Sequence, residues 1–195
     1  MPTTSPQLCR LDQAQGHDDG PRFDWTLSPG ITAVTGDERS GKTTLLRLLS
    51  GDLPPRHGQR FGADGAYLDL ALMQDQQRTP DDVWARLSPA WPRWNAQLAN
   101  ALSEATGLDE HRHKALYMLS AGSRRKVGVI ALLASGATIT CLDQPTAGWD
   151  RPSIRVLHDF LRDMAERQDR AWVVADYEAE PSLPWRDTIP LRAER

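Results

Sequence analysis

The stretch Gly36–Thr44, GDERSGKTT, constrains this chain more than any other, because it satisfies the pattern G-x-x-x-x-G-K-[ST] at every required position. Its flanks fit as well. The β-branched run Ile31–Thr35 precedes it and reads as a buried strand. Thr43–Ser50 follows, with Leu45, Leu46, Leu48 and Leu49 at helical spacing and Gly51 as the C-cap. Strand, glycine loop and helix in that order make a concave anion site: backbone N–H groups point inward and the helix aims its positive end at the same place. Lys42 is spaced to reach the β- and γ-phosphates of a nucleoside triphosphate and Thr43 to ligate Mg²⁺.

The rest of the chain reads as alternating strands and helices. Arg22–Leu27 alternates as a strand, and Ala66–Leu72 is the next one. Residues 12–21 are polar and read as a loop, and Pro54, Pro55 and Gly58 mark a turn region. Residues 79–118 are a helical insert. One helix is capped by Thr79 with Pro80 at its first position; a second spans about Pro92 to Thr106, with Trp94, Leu98, Ala101, Leu102 and Ala105 as its stripe. Trp84, Trp91 and Trp94 cluster here and either fill the insert's core or form an aromatic docking surface.

Ser120 reads as the N-cap of a helix over Arg124–Ser135, and Thr138–Leu142 as an apolar strand leading to Asp143. Asp150 caps a last helix whose stripe is Ile154, Leu157, Leu161 and Met164, before a strand at Ala171–Ala175. This alternation implies a mostly parallel α/β sheet. With 195 residues and a formal net charge of −3, the chain suits one domain with a subdomain and carries no basic face for nucleic acid. Cys9 and Cys141 imply neither a disulfide framework nor a metal site. The N-terminus lacks a signal-peptide core, and the longest uncharged run, Val127–Leu142, is too short and broken to span a membrane, so a soluble, cytoplasmic protein is expected.

In order, five motifs resemble those of the nucleotide-binding domain of ABC transporters, over roughly Phe23 to Pro190. GDERSGKTT resembles the Walker A loop, Gln74 the Q-loop glutamine, Leu119–Ser123 (LSAGS) the signature, Cys141–Pro145 (CLDQP) the Walker B strand end, and Ala147–Asp150 the D-loop. Within the family, the small single cassette and its LSAG signature resemble the ATPase subunit of haem exporters in cytochrome c maturation. The resemblance implies one ABC-type domain over 1–195. Its fold would be a RecA-like P-loop NTPase core, an antiparallel strand region and a helical subdomain of about 76–130.

It implies ATP and Mg²⁺ as ligands. The phosphates would be held by Gly36, Asp37, Glu38, Arg39, Ser40, Gly41, Lys42, Thr43 and Thr44. Leu119, Ser120, Ala121, Gly122 and Ser123 would complete the site of a second cassette in a homo- or heterodimer. Thr43, Gln74 and Asp143 would serve the metal, and Gln144, Asp176 and Gln74 would be the catalytic positions. The other implied partner is a separate membrane-spanning subunit, with the cassette on the inner face of its membrane.

The departures bear on chemistry. The family places Glu after the Walker B aspartate; here Gln144 can orient a water but cannot accept its proton. The strand before the switch histidine's place runs here into Ala175-Asp176-Tyr177, so Asp176 or a neighbour replaces that histidine, while His158 lies within a helix and reads as a surface residue. Arg39 either adds phosphate affinity or deforms the loop, and Phe23 and Trp25 are the aromatics available to stack on adenine or to fill the core. A module that dimerises on ATP and hardly turns over is the alternative to a transport ATPase. Phosphate release measured beside ATP-dependent dimerisation separates them.

Overall fold

A computed structural model describes residues 6–70 and 76–192. Gln74, and the end of the strand expected at Ala66–Leu72, lie outside the described residues. The chain divides into two compact units, one of residues 1–67, 137–143 and 161–195, the other of 68–136 and 144–160.

The first unit holds two sheets. β3 (Gly30–Thr35), β6 (Ile139–Asp143), β7 (Ala171–Asp176) and β8 (Asp187–Pro190), with the two-residue β5 (Gly65–Ala66), form a parallel sheet in the order β5-β6-β7-β3-β8. β3, β6 and β7 are buried nearly throughout, as their apolar sequences require of central parallel strands. Against the sheet packs α1 (Lys42–Ser50), whose Leu45, Leu46, Leu48 and Leu49 are buried. Each such leucine contributes about 2 kcal/mol relative to exposure. Gly51 closes the helix in the left-handed conformation, as the sequence predicts.

The second sheet is antiparallel, in the order β2-β1-β4, with β2 at Arg22–Leu27. It corrects two expectations. The polar stretch read as a loop from residue 12 belongs partly to β1 (Cys9–Gln15), and β4 (His57–Gly62) starts inside the expected turn region. β1 alternates Cys9 and Leu11 inward with Arg10 and Asp12 outward. A bulge then shifts its register between Leu11 and Ala14, where Gln13 sits at φ 48°. The bulge breaks the alternation by which a strand is recognised. In the parallel sheet, among the described residues of the strand expected over Ala66–Leu72 only Ala66 lies in β5, and Tyr67–Asp69 carry no regular structure.

The second unit is helical. α2 (Pro80–Leu87) opens with the Thr79 cap, which accepts a hydrogen bond from the Asp82 amide while the Asp82 carboxylate accepts from the Thr79 amide. α3 is Ala96–Ala105, shorter than expected: Asn95 caps it and the chain turns at Pro92–Arg93. Its buried residues are Ala99, Leu102 and Ser103. Ala101 and Ala105, assigned to the stripe by sequence, are exposed. α4 (Ala121–Ala134) is buried from Lys126 onward and receives α2 and α3. Trp84 is core, its indole N–H donating to the Val127 carbonyl at 3.0 Å. Trp91 and Trp94 stack with centroids 6.1 Å apart and are half-buried, so none of the three stands exposed. α5 (Arg151–Met164), of which residues 151–160 belong to this unit and the rest to the first, buries Leu157 and Leu161 and half-buries Ile154 and Met164. His158, read as a surface residue, is half-buried.

Candidate functional site

Parallel register gathers one group of residues at the carboxyl ends of three adjacent strands. Thr35 of β3 pairs with Asp176 of β7, and Asp143 of β6 pairs with Ala175. The Gly36–Gly41 loop leaves β3 at this end, which in open α/β sheets is where ligands bind.

Inside the loop, Gly36 adopts φ 146°, and a side chain there would overlap the Leu191 carbonyl oxygen. Only glycine fits. Arg39 is exposed and sits at φ 61°, a left-handed conformation that costs an arginine energy. Gly41 forms the N-cap of α1 with no side-chain cap, so the first amides of the helix keep their donors for a ligand. The Ser40 hydroxyl is buried with no hydrogen-bond partner among the described residues. Lys42 is buried and folded back, its ammonium donating to the Gly36 and Asp37 carbonyls at 2.5 and 2.7 Å.

The Thr43 hydroxyl donates to Asp143 Oδ2 at 2.6 Å, across a hundred residues of sequence. A hydroxyl and a carboxylate converging beside a phosphate-binding loop are hard oxygen donors of the kind Mg²⁺ takes, so these residues fit the metal. Orphaned helix amides, an unpartnered hydroxyl and a lysine form a donor set that fits phosphates.

Asp176 turns its carboxylate onto the backbone of its neighbour, accepting from the Tyr177 amide at 2.8 Å. Tyr177 is the neighbour of Asp176 in the sequence reading, though its contacts were not foreseen there. Its carbonyl accepts from the Gly36 amide at 3.3 Å, its hydroxyl donates to Glu38 Oε1 at 3.0 Å, and its ring centroid lies 5.2 Å from the Lys42 ammonium. An exposed aromatic following a buried strand at the ligand end of a parallel sheet was the available signal. Phe23 is buried and Trp25 half-buried in the core with β1 and α1, which favours the core role for both.

The second unit carries the other motif group. Ser120 caps α4, accepting from the Ser123 amide at 3.0 Å, and Leu119 beside it is buried while Ser120 and Ala121 are exposed. Gly122 is buried against Gly148, where any side chain would overlap the Gly148 carbonyl. Gln144 stands at φ 44°, its carbonyl accepting from the Arg125 guanidinium at 2.9 Å. Asp150 caps α5 through the Ser153 amide at 2.9 Å and accepts from Lys126 Nζ at 2.8 Å. Those bonds hold its carboxyl well below the usual range, the Lys126 hydrogen bond foremost.

Comparison with known proteins agrees with this geometry. Residues 22–147 match the model of the ABC transporter family. The cytochrome c biogenesis ATP-binding export protein CcmA of Bordetella bronchiseptica is 34% identical over 158 residues, covering 71% of this chain and 69% of that protein. Among solved structures, a putative ABC transporter ATP-binding protein from Pyrococcus furiosus superimposes with a TM-score of 0.76 at 20% identity, covering 94% of this chain and 96% of that one. An ATP-binding cassette solved as a dimer in a post-hydrolysis state, bound to ADP and phosphate, does so with a TM-score of 0.70 at 16% identity, covering 88% of each chain.

Proposed function

The chain belongs to the ABC transporter family, and we propose that it is the ATP-binding subunit of such a transporter, working with a second cassette and a separate membrane-spanning subunit at the cytoplasmic face. Among the described residues no helix is long and apolar enough to cross a membrane, in keeping with a separate spanning partner. The observation that carries the ATP site is the convergence of Thr43 and Asp143 beside the Gly36–Gly41 loop.

The roles follow from the donors. Lys42 exchanges its two carbonyl contacts for phosphate oxygens, which as anions are the stronger acceptors. The amides of the loop and the start of α1 hold the same oxygens, with Ser40 Oγ available to join them. Thr43 and Asp143 would hold Mg²⁺, which when bound neutralises charge on the phosphates. Gln74 is proposed for the metal shell on its sequence position alone. Gln144 orients the attacking water without taking its proton, so turnover is slow. Ser120, Gly122 and the amides at the start of α4 serve the nucleotide of the opposing cassette.

Titration calorimetry with ATP and Mg²⁺ tests the assignment. Lys42→Ala is expected to weaken binding by about 10- to 100-fold, the worth of hydrogen bonds between charged groups. Equal affinity in both proteins would overturn it.

A further inference from the structure

Gln144 stands in a conformation that its own chemistry disfavours. It is one of three residues other than glycine at positive φ among the described residues, and Pro145 follows it. A residue with a Cβ rarely occupies the left-handed region, and a residue before proline is pushed towards extended backbone. Such a conformation persists only where its surroundings hold it. The Gln144 carbonyl takes two donors: the Ala147 amide at 3.3 Å, which closes the turn, and Nη1 of Arg125 at 2.9 Å. The guanidinium bond is the shorter one and is charge-assisted, so it is the stronger. The far end of the turn is fixed separately, where Gly122 packs on the Gly148 carbonyl with no room for a side chain. Arg125 and Gly122 both belong to α4, so one helix grips the turn at two points within the second unit.

Relaxation of φ from 44° to about −120°, the ordinary value before proline, would turn the Gln144 side chain about its N–Cα bond by roughly 160°. An amide that orients a water loses its use well before that, since misplacement by about 1 Å already costs up to about a hundredfold in rate.

Taking Gln144 as the residue that orients the attacking water, we propose that Arg125 is a positioning residue for hydrolysis. Its guanidinium, bonded to the Gln144 carbonyl, keeps that backbone left-handed and so fixes the direction of the amide side chain. Arg125 acts through Gln144 and not on the nucleotide.

A double-mutant cycle separates this role from a general structural one. Steady-state phosphate release by the whole chain is measured for the parent, Arg125→Met, Gln144→Ala and the double variant, with ATP–Mg²⁺ affinity measured by calorimetry beside it. Methionine keeps an unbranched stem and removes the donor. In the parent background Arg125→Met is expected to lower kcat about tenfold, part of what such a misplacement costs, while KM and ATP affinity change less than about twofold. With Gln144→Ala already in place, the same substitution is expected to change kcat by less than about twofold, because no amide remains to be aimed. Arg125→Lys keeps the charge but not the planar fork, and it is run through the same cycle so that the test stands if Arg125→Met fails to fold. It is expected to give a smaller loss of kcat that again disappears with Gln144→Ala. An equal loss of kcat in both backgrounds, or no loss in the parent background, overturns the proposal. Gln144→Ala turning over as fast as the parent would instead overturn the water-orienting reading of Gln144 on which it stands.

Discussion

At Gln144 an amide follows Asp143, at the position to which the proposed function assigns the attacking water. Gln144→Glu is therefore expected to raise steady-state phosphate release by about tenfold or more, a part of what a positioned general base contributes. Brisk turnover that the substitution leaves unchanged would mean that another group takes the proton. The proposed phosphate loop could be read from consecutive residues because its chemistry is local: successive amides, one lysine and the hydroxyls of Ser40 and Thr43 within nine positions. The contact of Tyr177 with Glu38 was not legible for the opposite reason. Glu38 lies 139 residues away, and only the register of β7 against β3 brings them together. Thr43 and Asp143 also lie a hundred residues apart, yet both stood inside recognisable patterns, so their convergence could be anticipated.

Elements divided along the same line. β3, β6 and β7 and the helices α1, α4 and α5 declared themselves through unbroken apolar runs or a single buried stripe. β1 and β4 did not, since one is interrupted by a bulge and the other exposes nearly every residue. Capping was readable at three helices, where Thr79, Ser120 and Asp150 each accept from an amide of the helix they precede, but not at α3, which Asn95 caps. The cap at Asp150 carries a pH signature. Its carboxyl titrates lower in the folded protein than in the unfolded chain, so its contribution is complete above the unfolded value of about 3.9 and is lost as pH falls towards the folded one. Urea midpoints of the parent and Asp150→Asn should differ at pH 7 and converge as pH falls below about 4. Because the Asp150 side chain is 54% exposed, solvent screening makes the difference modest. A gap that stays constant with pH would remove the carboxylate from the account.

For the whole molecule, the proposed function calls for a second cassette. On that proposal, the exposed cap at Ser120 and the start of its helix would serve a nucleotide carried by another cassette. Sedimentation with ATP–Mg²⁺ should show a dimer that is slow to dissociate, and Lys42→Ala should remain monomeric under the same conditions. A parent protein that stays monomeric at saturating ATP would separate nucleotide binding from assembly.

The two cysteines of the first unit add a kinetic consequence. Cys9 and Cys141 are fully enclosed in one hydrophobic cluster, and burial raises both thiols above their ordinary titration range. A modifying reagent therefore reaches sulfur only when the β-sheet core parts, so labelling measures how often it opens. Nucleotide held by the loop favours the closed core by mass action. Reaction with a maleimide should slow as ATP–Mg²⁺ is raised, and the slowing should vanish in Lys42→Ala. Rapid labelling indifferent to nucleotide would show that the strands carrying Cys9 and Cys141 loosen without the loop taking part.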